Sequence, residues 1–422
     1  MALNGSGPIS LAGSTVGESI AIELGESATG TRSLNDTIVR DLAGVASGAI
    51  VMPTNFWGKS SVNNPLYTWG DNSVGSLGLN NTTNYSSPVQ VGTTNDWSMV
   101  EFGSYDSFSI KLDGTLWALG GGNYSGSLGL GDSIGRSSPV QVGALTTWSQ
   151  VSSGASVFTL AIKDNGTLWS WGYGANGQLG LNSTTSYSSP MQVGSLTNWL
   201  QVSAGNYTAG AVKTDGTIWV WGVNPFGNLG IGGTTTQSSP VQVGALTNWA
   251  SVSAGRYYYL ATKTDGTLWA WGAGTDGCLG TGSTTTQTSP VQIGSLTTWS
   301  KVDASFSQQP FSFATKTNNS MWVWGDNGFG QLGLNDLTNR SSPVQLGALT
   351  NWLQPSVSER SDQGFGMAVK TDGTLWSWGS NNVGQLGLGY KTNRSSPVQV
   401  GALTDWSQVS AGGYGSGAVQ EK

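Results

Sequence analysis

The sequence predicts a mainly β protein: a seven-bladed β-propeller of four-stranded antiparallel blades closed by both termini, with a small N-terminal module that contains one short helix. Three observations predict this class. A unit of about fifty residues recurs seven times, its first and last copies are incomplete in complementary ways, and the 422 residues include 64 Gly and 20 Trp but are only 9% charged. Frequent Gly with many aromatics suits tight turns between short strands, and such a period is typical of repeat architectures.

Four sequence markers recur in every copy in the same order. The first is a W-G dipeptide, at Trp69, Trp171, Trp221, Trp271, Trp324 and Trp378, with Leu119 taking the Trp position in the second copy. A G-x-L-G turn follows, beginning at Gly75, Gly126, Gly177, Gly227, Gly277, Gly330 and Gly384. An S-P dipeptide comes next, and a lone Trp ends the unit, at Trp97, Trp148, Trp199, Trp249, Trp299, Trp352 and Trp406. Seven ordered sets of markers indicate a repeat rather than a chance match.

Each unit reads as four short strands, which residues 199–244 illustrate. The segments "WLQVSAG" and "TAGAVKT" are apolar, and the Asp215–Gly216 pair after them is a hairpin signal. The segment "TIWVWG" alternates Trp with another apolar residue, and "SPVQVG" begins with a Pro that suits an edge strand. Four antiparallel strands repeated seven times are typical of a propeller.

The two ends of the repeat complete one blade. The first copy begins directly at its third strand near Leu66, whereas the last copy stops after its second strand. We therefore expect Trp406–Gln420 to supply the two strands that the first blade lacks, which removes the exposed sheet edges.

Residues 1–60 form a separate module, and residues 61–422 form the propeller. The segment "SLNDTIVRDLAG" reads as a short helix, with Ser33 as its N-cap and Gly44 at its end. Sixty residues bury little surface alone, yet this module is rich in apolar side chains. We expect them to form an assembly interface, made by Ile20, Ile22, Leu24, Val39, Leu42, Phe56 and Trp57.

Composition excludes several function classes. The net charge of −6 and the isoelectric point near 4.6 are against a nucleic-acid partner, and there is no apolar run long enough for membrane insertion. Histidine is absent and Cys278 is the single cysteine, so the commonest general base and metal ligand are missing. We therefore predict that the protein is not an enzyme and that it has no catalytic residues, no cofactor and no metal site. The N-terminus has no basic segment before an apolar run, which is against a secretory signal.

Two surfaces are candidates for ligand binding. With the V-S-A-G strand innermost, the turn after it places aromatics at the mouth of the central channel: Tyr105, Tyr207, Tyr257, Phe306 and Tyr414. The long loop after G-x-L-G carries Tyr85, Tyr187, Arg340 and Arg394 among Thr, Ser and Asn. The alternatives are mutual packing for the first set and a solvated loop for the second. Asp-Gly pairs are read as turns, Cys278 as an ordinary loop residue, and the Trp set as mostly core rather than a carbohydrate platform.

The repeat resembles the regulator of chromosome condensation family. The shared pattern is W-G-x-N-x-x-G-Q-L-G-L, S-P-V-Q-V, V-S-A-G and A-x-K-x-D-G-T-L-W, with "WGDNGFGQLGLND" at 324–336 an especially close match, over about residues 62–422. The resemblance implies seven-bladed propellers, in a regular Thr/Ser-rich form that looks like the bacterial and viral branch. The eukaryotic founder of that family is a guanine-nucleotide exchange factor that docks on chromatin. The repeats of this chain are evenly spaced and its composition is acidic, so we do not expect it to exchange guanine nucleotides or to dock on chromatin.

Residues 1–60 resemble the N-terminal module of many bacteriophage structural proteins. The shared motifs occur in order: I-S-L, S-I-x-x-E-L-G, S-L-N-D, L-A-G-V-x-S-G-x-I, and "FWGKS" at 56–60. The resemblance implies a virion protein on a phage tail or other exterior surface, attached to other virion proteins through this module and homo-oligomeric in the particle. The expected function is a tail-fibre or receptor-binding component that recognises a host surface glycan or protein, or a neighbouring subunit. A purely structural decoration or connector protein, and a secreted bacterial adhesin or inhibitor, are the alternatives.

Overall fold

A computed structural model of the chain describes residues 63–155, 157–358, 364–413 and 415–422. Over these residues, 28 strands form seven four-stranded antiparallel sheets, and the propeller unit spans Asn64–Glu421. Two single 3₁₀ turns, Tyr124–Gly126 and Thr275–Gly277, are the helical elements of this part. The predicted seven-bladed, mainly β fold is confirmed. The predicted helix after Ser33 and the apolar set Ile20, Ile22, Leu24, Val39, Leu42, Phe56 and Trp57 lie outside the described residues.

Six blades are continuous in sequence, and their strands run from the centre outwards in chain order. Blade 2 is formed by β3 (Trp97–Phe102), β4 (Ser107–Lys111), β5 (Leu116–Gly120) and β6 (Arg136–Gln141). Blade 3 is formed by β7 (Trp148–Gly154), β8 (Phe158–Lys163), β9 (Leu168–Gly172) and β10 (Tyr187–Gln192). Blade 4 is formed by β11 (Trp199–Ala204), β12 (Thr208–Lys213), β13 (Ile218–Gly222) and β14 (Gln237–Gln242).

The remaining continuous blades repeat this order. Blade 5 is formed by β15 (Trp249–Ala254), β16 (Tyr258–Lys263), β17 (Leu268–Gly272) and β18 (Gln287–Gln292). Blade 6 is formed by β19 (Trp299–Ala304), β20 (Phe311–Lys316), β21 (Met321–Gly325) and β22 (Arg340–Gln345). Blade 7 is formed by β23 (Trp352–Val357), β24 (Phe365–Lys370), β25 (Leu375–Gly379) and β26 (Arg394–Gln399).

Blade 1 joins the two ends of the propeller sequence. Its outer strands are β1 (Leu66–Gly70) and β2 (Tyr85–Gln90), and its inner strands are β27 (Trp406–Ala411) and β28 (Gly415–Gln420). β1 pairs with β28 in an uninterrupted antiparallel register from Leu66↔Val419 to Gly70↔Gly415. The predicted closure is confirmed. β1 is thereby paired on both sides, with β2 and β28, so the edge that the first copy of the repeat would otherwise expose is covered.

The W-G tryptophans hold neighbouring blades together. Trp221 is fully buried, and its indole N–H donates to the carbonyl of Gln178 in the preceding blade at 2.8 Å. Gly180 has a left-handed φ of +70°, and a Cβ there would lie 2.9 Å from the Trp221 ring nitrogen. The second Gly of G-x-L-G is therefore required both by its backbone conformation and by the close approach of the next blade. The same interblade bond is made by Trp69, Trp171, Trp324 and Trp378.

Because the strands alternate in direction, the ring has two unlike faces. We call the face with the Asp-Gly hairpins, such as Asp215–Gly216, and the connections between blades, such as 244–247, the turn face. The opposite face carries the turn after the innermost strand, such as 205–207, and the long loops, such as 223–236; we call it the loop face. The innermost strands β3, β7, β11, β15, β19, β23 and β27 contact one another in sequence around the central channel.

Candidate functional site

The predicted aromatics of the loop face do not form one continuous ring. Tyr105 packs edge-on against Tyr124, with ring centroids 5.8 Å apart. Tyr257 packs edge-on against Phe226 at 5.4 Å, and the Arg256 guanidinium lies 5.6 Å from the Tyr257 ring centroid. These contacts make two separate aromatic patches, one on blade 2 and one between blades 4 and 5.

The other predicted aromatics of this face stand apart from the two patches. Phe306 is only 8% exposed, and Tyr207 is half-buried. The carbonyl of Tyr207 accepts a hydrogen bond from the Val223 amide, as that of Tyr257 does from Ala273. Tyr414 lies outside the described residues. Sequence reasoning missed Tyr124 and Phe226, which are 57% and 49% exposed and so form the accessible part of the patches.

The second predicted set lies on the perimeter of the ring. Tyr85, Tyr187, Arg340 and Arg394 are each the first residue of an outermost strand, at the same position in four different blades. The structure therefore spaces them around the ring and does not bring them together. Sequence reasoning missed Arg136, which occupies this position in blade 2.

These perimeter residues hold the long loops to their blades. Arg340 pairs with Asp336 at 2.6 Å and donates to the carbonyl of Thr338. Arg394 donates to the Tyr390 hydroxyl at 2.9 Å and lies over that ring. Backbone hydrogen bonding from Thr338, followed by the Arg340 hydrogen bond, keeps the pKa of Asp336 below its usual range. The long loops of blades 6 and 7 are thus fixed by their own polar contacts.

The central channel is lined by a belt of Gln and Ser side chains that bond from blade to blade. Gln201 exchanges two hydrogen bonds with the backbone of Val252 in the next blade, both at 2.9 Å. The Ser203 hydroxyl accepts from the amide of Ala254 at 2.9 Å. The Ser bond recurs at most interfaces between blades, with Ser152, Ser253, Ser356 and Ser410.

Two carboxylates replace Ser in this belt. Glu101 in blade 2 and Asp303 in blade 6 line a channel cavity of about 380 Å³, together with Lys301. Asp303 accepts from the amide of Val357 at 2.9 Å and from Ser253, so it takes over the bonding role of Ser. Lys301 donates to the carbonyl of Leu353 at 2.9 Å.

The channel makes both acids reluctant to ionise. Burial, and then repulsion from Asp303, raises the pKa of Glu101 to about 8. Burial raises the pKa of Asp303 to about 7. Burial also lowers the pKa of Lys301. Ionisation of all three groups is therefore disfavoured, and the two carboxyl groups titrate near neutral pH.

The next features concern metal ligands and the single thiol of the described residues. No group of three or more Cys, Asp or Glu residues suited to hold a metal ion occurs among them. Cys278 is fully buried, its sulfur contacts the carbonyl of Ala273 at 3.3 Å, and burial raises the pKa of its thiol. Such a thiol is neither exposed nor activated as a nucleophile. The same described residues contain no helix with the length and apolarity to cross a membrane.

Comparison with known proteins agrees with this architecture. The Regulator of chromosome condensation (RCC1) repeat matches residues 64–110, 165–212, 215–262, 265–307, 318–358 and 372–419, and a second form of the repeat matches 148–178 and 249–278. The ultraviolet-B receptor UVR8 of Arabidopsis thaliana is 35% identical over 132 residues, which are 30% of each chain. The X-linked retinitis pigmentosa GTPase regulator of Canis lupus familiaris is 29% identical over 163 residues, 34% of this chain and 16% of that protein.

Two solved structures share the fold at low identity. Human WBSCR16 superposes with a TM-score of 0.73 at 19% identity, covering 85% of this chain and 99% of that one. Prp20p of Saccharomyces cerevisiae superposes with a TM-score of 0.72 at 17% identity, covering 86% and 92%. The aligned segments of the two curated relatives span less than a third of their lengths, whereas the repeat itself matches more than half of this chain. The chain belongs to the family of regulator of chromosome condensation repeat propellers.

Proposed function

We propose that this chain is a structural protein of a bacteriophage particle whose propeller is a non-catalytic binding scaffold directed at the host surface. The assignment to a virion is supported by the order of the five short motifs across residues 1–60. This observation carries the proposal, because the propeller alone is compatible with many functions.

The non-catalytic role is supported by the chemistry of the described residues. They contain a buried, unactivated thiol, no histidine, and no cluster of metal ligands. They do contain rigid loops and aromatic patches around a closed ring, which are features of a recognition scaffold. Binding to Gsp1p and histones is described for Prp20p. We do not extend these partners to this chain, because the identity is 17% and the evenly spaced repeats have no long inserted loop.

The test uses a phage that lacks its own copy of the gene. The full chain and a 62–422 fragment, both tagged, are supplied during infection, and purified particles are probed for the tag. We expect the full chain in particles and the fragment outside them, because the motifs of residues 1–60 are those of an attachment module. Incorporation of the fragment would contradict this division of roles.

Host recognition is tested on particles that carry residues 1–62 without the propeller. If the propeller recognises the host, these particles adsorb to cells more slowly than particles with the full chain. Unchanged adsorption would instead favour the alternative of a structural decoration or connector protein.

A further inference from the structure

Six blades contain the same lysine cage, which we define as a Lys at the end of the second strand held between two indoles. In blade 3, the Lys163 ammonium lies 3.6 Å from the ring centroid of Trp169 and 4.8 Å from that of Trp148. Cation–π contacts of this kind attract a cation to the ring faces. The other cages are formed by Lys111, Lys213, Lys263, Lys316 and Lys370 with their own Trp pairs.

The outer indole of each cage is fixed by the hairpin before it. In blade 4, Asp215 accepts from both the amide and the hydroxyl of Thr217, and the Thr217 hydroxyl accepts from the Trp219 indole N–H at 2.8 Å. The D-G-T-L-W motif is therefore a device that orients a tryptophan. These outer indoles are half-buried, unlike the W-G tryptophans, so part of each ring faces solvent: Trp117, Trp169, Trp219, Trp269, Trp322 and Trp376.

The inner indole of each cage has an unused donor. Trp97 and Trp148 are 2% and 4% exposed, and their indole N–H groups donate to no protein acceptor. The lone Trp of all seven blades shares this feature. Each of these nitrogens is enclosed by protein atoms, so the unpaired donor, which costs about 1–3 kcal/mol, belongs to the interior of the blade and not to a groove surface.

The cages of blades 2 and 3 open into grooves between blades. The first groove, of about 600 Å³, lies between blades 1 and 2 and is lined by Trp97, Lys111 and Trp117. The second, of about 420 Å³, lies between blades 2 and 3 and is lined by Trp148, Lys163 and Trp169. Both volumes fall in the range of about 300–1,000 Å³ that small-ligand sites occupy.

Each groove combines apolar surface with polar groups from the neighbouring strand. The wall opposite the cage is the outermost strand of the preceding blade, which contributes Gln90 to the first groove and Gln141 to the second. Pro139 and Pro190 complete the apolar floor. No Asp or Glu belongs to the lining of either groove, and the second groove adds Arg136 to its caged lysine. Two of these cations already have an acidic partner beside the groove: Lys111 pairs with Asp96 at 3.2 Å, and Arg136 pairs with Asp132 at 2.7 Å.

We propose that the lysine-cage grooves bind acidic sugar residues of a polysaccharide. The accessible parts of the half-buried indole and proline side chains accept the apolar face of a pyranose ring, and the Gln amide pairs with its hydroxyls as both donor and acceptor. The caged ammonium, poorly solvated between two rings, gains a charge-assisted bond to the sugar carboxylate. An acidic peptide offers carboxylates but no flat polyol surface, so it fits this combination less well.

Blade 1 is a natural control within the same ring. Gln420 occupies the position of the caged lysine and Tyr67 that of the outer indole, with Tyr67 packed edge-on against Trp406 at 5.4 Å. This blade therefore lacks both the cation and the paired indoles, and we expect no acidic-sugar site there.

The inference rests on the proposed function in one respect, that the propeller is the recognition domain. Its test uses the purified full chain, titrated calorimetrically with an oligogalacturonate and with a malto-oligosaccharide of equal length. We expect at least tenfold tighter binding of the acidic sugar, weakened by salt. The double variant Lys111→Met/Lys163→Met should bind two fewer equivalents, whereas Gln420→Met should match the original chain. Circular dichroism checks that each variant is folded.

The outcomes separate the two proposals. Equal binding of both sugars, no binding, or full stoichiometry in the double variant overturns the groove assignment. If propeller-dependent host adsorption persists in any of these cases, the proposed function stands and the ligand is of another class. If the sugar binds as expected but particles without the propeller adsorb normally, the grooves are real and the proposed function is wrong.

Discussion

At the residue scale, the chemistry of this propeller lies where single residues depart from the repeat. The channel position that is Ser in five blades is Glu101 in blade 2 and Asp303 in blade 6. Blades 2 and 6 stand on opposite sides of the ring, so the two acids face a common cavity, where burial and then repulsion from Asp303 disfavour ionisation of Glu101. A rigid ring cannot relax to separate them, because every inner strand is bonded to both neighbours.

The raised pKa of Glu101 predicts a pH-dependent stability. An unfolded Glu titrates near its ordinary pKa of 4.5, but in the channel it titrates near 8. Between these values the folded state holds a proton that the unfolded state loses, so stability falls as pH rises from about 4.5 to 8. We expect Glu101→Gln to gain Tm relative to the original chain as pH rises through this window. Calorimetric melting at pH 5 and pH 8.5 measures the difference.

The control for this experiment is Glu421→Gln, which changes an exposed carboxyl outside the channel. It should shift Tm equally at both pH values. Asp303→Asn should move the Glu101 titration downwards, because Asp303 is the charge that raises it. A Glu101→Gln offset that is the same at pH 5 and pH 8.5 would show that the carboxyl ionises normally.

The Asp–Thr–Trp chain of the hairpins predicts a second stability effect. Thr217→Val removes the hydroxyl that accepts from the Trp219 indole and donates to Asp215. We expect a loss of about 1 kcal/mol in the free energy of unfolding, measured by urea denaturation. Loss of the Thr217 hydrogen bond should also raise the pKa of Asp215, since that bond is the largest cause of its lowering.

Thr217→Ser is the matched variant, because Ser320 performs the same role in blade 6 by accepting from Trp322. It should keep most of the stability and leave the Asp215 titration in place. If the Val and Ser variants were equally stable, the hydroxyl would not be what fixes the indole.

At the element scale, the stability of the closed ring depends on blade 1, which joins the two ends of the propeller. β27 and β28 supply the inner half of blade 1, and Phe102 of the next blade packs against Gly417 within it. Deleting 406–422 should expose the β1 edge and leave the neighbouring blades without their packing surfaces. We expect the truncated chain to aggregate or to lose its single cooperative unfolding transition. Light scattering detects the aggregation, and scanning calorimetry detects the loss of the transition.

A circular permutant shows whether the truncated chain is destabilised by the new position of its ends or by the loss of two strands of blade 1. Opening the hairpin at Asp265–Gly266 in blade 5 and joining residues 63 and 422 by an Asp-Gly turn keeps all 28 strands of the described part. It should melt cooperatively. A truncated chain that melts as sharply as the permutant would mean that the two ends do not stabilise each other.

The strands were largely predictable from the sequence because each strand pattern occurs in seven copies at nearly the same spacing. Strand order, closure and the innermost V-S-A-G strand follow from markers whose spacing repeats. The aromatic partners of Tyr105 and Tyr257 could not be predicted from the sequence. Tyr124 contacts Tyr105 from a long loop of the same blade, and Phe226 contacts Tyr257 from a long loop of the preceding blade. The half-buried outer indoles were also missed. The first and second Trp of "TIWVWG" look alike in sequence and point to the same face of the strand, where both pack edge-on against Trp199. Only their position along the strand differs, and it leaves Trp219 half-buried while Trp221 is fully buried.

At the scale of the whole molecule, the turn face carries a ring of apolar side chains. The connections between blades place Leu145, Leu196, Leu246, Leu296, Leu349 and Leu403 there, each 44–50% exposed. They lie singly, one to each connection, and each follows an Ala or Ser and precedes a Thr. Scattered exposed leucines are normal on a soluble surface and do not by themselves form an interface.

The last prediction assigns assembly to residues 1–60 and folding to the ring. The unit Asn64–Glu421 buries its own core, so a 62–422 fragment should melt at the same Tm as the propeller transition of the full chain and be monomeric in light scattering coupled to gel filtration. The full chain should have the larger mass, because the apolar side chains of residues 1–60 need a partner and repeated copies satisfy them by symmetry. An oligomeric fragment would contradict this assignment. In that case the leucine ring of the turn face is the surface to examine, and replacing Leu196, Leu246 and Leu296 by Ser should restore the monomer without lowering Tm, since none of the three is buried.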